Sequence, residues 1–97
     1  MKQANLSFQP PHTLQVSGEL DFDSTVKLQE VGLAWLNKEP IVSIDLAAVT
    51  NSNSAGLALL LEWQREAKHL GRKLIFINIP ANLQAAAEIY GLKQILI

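Results

Sequence analysis

Residues 45–61 read Asp45-Leu46-Ala47-Ala48-Val49-Thr50-Asn51-Ser52-Asn53-Ser54-Ala55-Gly56-Leu57-Ala58-Leu59-Leu60-Leu61. The mostly apolar run Ile41-Val42-Ser43-Ile44-Asp45-Leu46 leads into it and predicts a central strand. Ala47 to Asn53 is polar and predicts a loop. Small residues at Ser54-Ala55-Gly56 then open a helix that runs to Leu70, where Gly71 stops it. In an open α/β sheet, sites form at the carboxyl ends of strands. A helix N-terminus adds free N–H groups and the positive end of the helix dipole. The hydroxyls of Ser52 and Ser54 fall at that point. Plain helix capping accounts for them, and so does phosphorylation or a hydrogen bond to a partner.

Upstream, Leu6 to Phe8 and Leu14 to Val16 alternate apolar and polar, the period of half-buried strands. Pro10-Pro11-His12 between them is a turn, because proline cannot donate to a ladder. Gly18-Glu19-Leu20-Asp21-Phe22-Asp23 ends the second strand, and Asp23 or Ser24 can cap the helix that follows. From Ser24 to Leu36, Leu28, Val31 and Trp35 share one helical face. Downstream, Lys73 to Ile79 reads as a buried strand and Pro80 as a first helical residue. Leu83, Ala86, Ala87 and Tyr90 form one face of a short helix ended by Gly91. The fold class is α/β, in the order β-β-α-β-α-β-α, with Leu92 to Ile97 available as a last edge strand. Its two β-α-β units require parallel neighbours, giving a single domain over 1–97 with a mixed sheet of four to five strands.

The 97 residues are 48% hydrophobic and 18% charged, with no cysteine. That excludes a disordered tail, a disulfide scaffold and a cysteine-ligated metal site. Net charge is −1, and Arg72-Lys73 is the longest run of basic residues, so a phosphate-tracking nucleic-acid face is not expected. No apolar stretch reaches the roughly 20 residues of a membrane span. No short apolar region marks a signal peptide either, so a cytoplasmic location without membrane insertion is expected.

His12 and His69 fall in a proline turn and near a helix C-terminus, and no phosphate-binding glycine loop is present. No catalytic residue, metal site or cofactor site is therefore assigned, and the chain is expected not to be an enzyme. Glu19, Asp21 and Asp23 form an acidic trio after the second strand. It suits either a cation or a basic partner, or else plain capping and solubility.

The stretch at 45–61 resembles the signature of STAS domains, the sulfate-transporter and anti-sigma-factor-antagonist family. That signature is a strand with Asp-Leu, a Val four positions after the Asp, then Asp-Ser/Thr-Ser/Gly-Gly-Leu opening a helix. Asp45-Leu46, Val49 and Ser54-Ala55-Gly56-Leu57 match it, and Gly18-Glu19-Leu20-Asp21 matches the family's Gly-Glu-Ile/Leu-Asp. Asn53 stands where the pattern has Asp, and Ala55 offers no hydroxyl to modify.

The run Gly56-Leu57-Ala58-Leu59-Leu60-Leu61 resembles the branch that serves bacterial phospholipid-transport ABC complexes and outer-membrane lipid asymmetry. In that branch the functionally important Thr falls on Ser54. The resemblance implies docking on the ATPase subunit, within a complex that also holds permease and substrate-binding subunits. It implies an address on the inner membrane through that complex. The alternative it implies is an anti-sigma-factor antagonist that binds a serine kinase and is regulated by phosphorylation; Ala55 stands at the family's phosphoserine position, so the hydroxyls available here are Ser54 and Ser52.

On a wheel of about 100° per residue, Gly56, Leu59, Leu60, Trp63, Ala67 and Leu70 form the core arc of this helix. Leu57 and Leu61 fall beyond its edge, beside Gln64, Arg65 and Lys68. With Asn53, Ser54 and Ala55 they are the candidate partner-binding residues, a widened core stripe being the alternative for the two leucines. Ile95 to Ile97 is a further apolar edge, open to self-association.

Overall fold

A computed structural model describes residues 3–92 of the chain. Strands β1 (Asn5–Gln9) and β2 (Thr13–Leu20) precede helix α1 (Phe22–Lys38). Strand β3 (Ser43–Ser52), helix α2 (Ser54–His69), strand β4 (Ile75–Ile77) and helix α3 (Ala81–Ile89) follow. The element order is the one read from the sequence. The segment from Ile95 to Ile97 lies outside the described residues.

The four strands form one mixed sheet in the order β1-β2-β3-β4. The β1–β2 hairpin is antiparallel, and both helical crossovers return parallel strands, β2 beside β3 and β3 beside β4. Register aligns Phe8, Leu14, Ile44 and Phe76 across the sheet, on the face that carries the core. The other face holds Ser7, Gln15 and Asp45 in one row and Gln9, Thr13 and Ser43 in the next. β2 therefore alternates between buried and half-buried along its whole length. The core covers only one face of the sheet, so the strands expected to be buried throughout are buried on one side, and β4 leaves Ile75 and Ile77 on the other. All three helices add buried side chains to a single core.

Trp63, fully buried on α2, occupies the centre of that core and donates its indole N–H to the Gln29 carbonyl at 3.3 Å. Gly32 lets α1 close on it, since a Cβ there would stand 2.3 Å from the indole ring. At the far end of α1, the Arg72 guanidinium donates to the Leu36 and Glu39 carbonyls and so satisfies C-terminal groups that the helix leaves open.

Four expectations about local structure change. The helix expected from Ser24 begins two residues earlier, at Phe22, because Asp21 rather than Asp23 or Ser24 is the N-cap. Val31 and Trp35 flank its buried stripe instead of forming it; that stripe is Thr25, Leu28, Gly32 and Leu36. Residues 47–52, expected as loop, continue β3, because β2 offers Ser17, Gly18, Glu19 and Leu20 as ladder partners. Tyr90, expected on the core face of α3, is 62% exposed, since the helix ends at Ile89.

Candidate functional site

The site is the junction where β3 ends and α2 begins. Asn53 caps α2: its side chain accepts the Ala55 N–H at 2.8 Å, and its carbonyl accepts the Gly56 N–H at 3.0 Å. The Asn53 N–H in turn donates to the Leu20 carbonyl at the end of β2. Helix and strand meet here with no room for a side chain at Gly56, where a Cβ would lie 2.1 Å from the Ser52 hydroxyl.

That packing separates the two candidate serines. Ser52 is half-buried and its hydroxyl donates to the Asn53 carbonyl at 3.0 Å. Ser54 is exposed in the first turn of α2, and among the described residues its hydroxyl has no hydrogen-bond partner.

The expected partner-binding residues divide. Asn53 and Ser54 are exposed and Leu61 is half-buried. Ala55 is only 5% exposed and lines a groove beside the junction. Leu57 is 3% exposed and belongs to the core, so it cannot supply surface contact. The physical reason is that α2 packs on both α1 and α3, which widens its apolar stripe past the arc a wheel assigns.

The exposed apolar surface at this end comes from α1 instead. Phe22 and Val26, one helical turn apart, are 68% and 70% exposed. With Thr25, Ala55, Ala58 and Glu62 they line a groove of about 240 Å³ between α1 and α2. A helix assumed to start at Ser24 gives Phe22 no face. The signal that finds it is Asp21 with Ser24 three residues on, a capping pair that sets the helix start before Phe22.

Asp21 accepts the Ser24 N–H at 2.8 Å while the Ser24 hydroxyl accepts the Asp21 N–H. The hydrogen bond from the Ser24 backbone is the main cause holding the Asp21 carboxyl below its usual range. Asp23 lies in the first turn of α1, where the helix dipole favours an anion. Glu19, Asp21, Asp23 and Lys27 line one open cleft of about 260 Å³. Asp21 and Asp23 thus already have structural work at the helix start. Among the described residues, no group of three or more His, Asp or Glu side chains is placed to hold a metal ion. Nor is any helix among them long and apolar enough to cross a membrane.

Comparison with known proteins places this geometry. Among curated protein sequences none matches. Solved structures that share the fold include two of the anti-sigma factor antagonist SpoIIAA. Its unphosphorylated form superposes with a TM-score of 0.68 at 17% identity, over 89% of this chain and 82% of that one. The phosphorylated form, described as the Bacillus cell fate determinant SpoIIAA, gives 0.71 at 17% identity, over 97% and 88%. The family model described as "Mlab, STAS domain" matches residues 5–97. With that match spanning nearly the whole sequence, the chain belongs to the Mlab-type STAS domain family.

Proposed function

We propose that the chain is a non-enzymatic, cytoplasmic STAS subunit that binds the ATPase of a phospholipid-transport ABC complex of the Mla type. It supports that complex's assembly and activity, sits with the permease and substrate-binding subunits, and meets the inner membrane only through them. The observation that carries this reading is the junction surface. The exposed Ser54 hydroxyl has no partner among the described residues, and its neighbour Ala55 lines a groove walled by Phe22 and Val26, large apolar side chains that the fold leaves in solvent. Full burial of such side chains contributes about 1.5–3 kcal/mol each, of which association consumes a part. Asn53, Ala55 and Leu61 complete the contact.

The test is co-purification with the ATPase subunit. Wild type should form the complex, and Ser54→Glu combined with Val26→Asp should abolish it while keeping the fold. An intact complex with this double variant contradicts the proposed surface.

One observation favours a second reading, an anti-sigma-factor antagonist that binds a serine kinase. The accessible Ser54 hydroxyl sits at a helix N-terminus, where a phosphate would be stabilised. That reading predicts one added phosphate on Ser54, and none on the hydrogen-bonded Ser52, in intact-mass and peptide spectra after incubation with such a kinase.

A further inference from the structure

The peptide unit between Ser52 and Asn53 immediately precedes the α2 cap, and it is held from both sides. Its N–H donates to the Leu20 carbonyl at 3.1 Å. Its carbonyl accepts the Asn82 side-chain amide at 2.7 Å, from a residue thirty positions later in the first turn of α3. The ladder has no donor to offer this carbonyl: opposite the N–H of the same peptide it points away from β2, and on that side β4 pairs with β3 only at Ser43, Ile44 and Asp45. Asn82 is exposed and adds nothing to the core, so its amide serves the junction rather than packing.

We propose that Asn82 is a positioning residue: its amide fixes the plane of the Ser52–Asn53 peptide and thereby the direction in which Ser54 faces a partner. This rests on the proposed partner surface, and it adds α3 to the elements that build it. Asn82→Asp isolates the effect, because it keeps the side chain's size while removing the donor. An acid in the first turn of α3 also favours the helix dipole, so the variant is not weakened at α3 itself.

Two measurements test the proposal. Hydrogen exchange on the free protein should show the Ala55 and Gly56 amides exchanging several-fold faster in Asn82→Asp, about tenfold at most for one hydrogen bond. Melting temperature should be unchanged. Affinity for the ATPase subunit should fall by a similar factor, as the binding-ready arrangement becomes less populated. Unchanged exchange at Ala55 and Gly56 overturns the proposal, as does unchanged affinity despite faster exchange. If wild type does not bind the ATPase at all, the functional reading fails, and exchange in the free protein still decides whether Asn82 positions the junction.

Discussion

At the residue scale, the glycines and the capping acid bear the most weight. Gly32→Ala sets a methyl against the Trp63 indole, a rigid buried neighbour that cannot step aside. Overpacking of this kind should cost about 1–3 kcal/mol, read as a lower urea midpoint with an unchanged slope. Gly56→Ala meets the Ser52 hydroxyl and should destabilise while also disturbing the junction. Asp21 links stability to pH. Its carboxyl is held below the usual range, so its contribution is complete above about pH 4 and is lost as pH falls through the lowered value. The stability gap between wild type and Asp21→Asn should therefore narrow on acidification; a gap constant from pH 7 to 2 contradicts the capping role. Gly56 is legible as a motif residue, whereas the sequence leaves its neighbour Leu57 between partner surface and core, and the fold puts it in the core. A helical wheel records one helix's own geometry and has no knowledge of a second helix closing over its flank.

At the scale of elements, α1 and α2 exchange the roles expected of them. Leu57 lies inside, whereas Val26 and Phe22 of α1 face solvent at the mouth of the α1–α2 groove. Leu57→Ala should cost about 2–5 kcal/mol by leaving a cavity. Val26→Ala should stay within about 0.5 kcal/mol. Parallel denaturation of the two variants checks both, and equal losses would contradict the assignment. Element order and helix types were legible because their apolar periods run long. The ends were less so. The second half of β3 is polar, and what makes it a strand is its pairing with β2, a partner more than thirty residues away in sequence. The start of α1 was hidden because Asp21, Asp23 and Ser24 lie close together and each can cap; only the Ser24 hydroxyl bonded back to Asp21 decides among them.

At the scale of the whole molecule, a four-stranded sheet carries its helices on the face that holds the core, and its other face is polar except for Ile75 and Ile77 of β4. So small a body leaves part of its 48% hydrophobic content outside the core. Part of that excess, Phe22 and Val26, lies at the groove between α1 and α2 that Ala55 also lines, next to the exposed serine and the helix cap in sequence. The family pattern located this end from Asp45-Leu46, Val49 and Gly56-Leu57, whereas Phe22, Val26 and Asn82 come to it only through tertiary folding. The most direct test is the affinity of the purified ATPase subunit for wild type and for Val26→Asp, with the variant's fold checked by its melting temperature. Wild type should form a complex, and a folded Val26→Asp should bind at least roughly tenfold more weakly, about 1.4 kcal/mol of the burial at stake. Equal affinity of the two proteins for the ATPase would contradict the proposed surface.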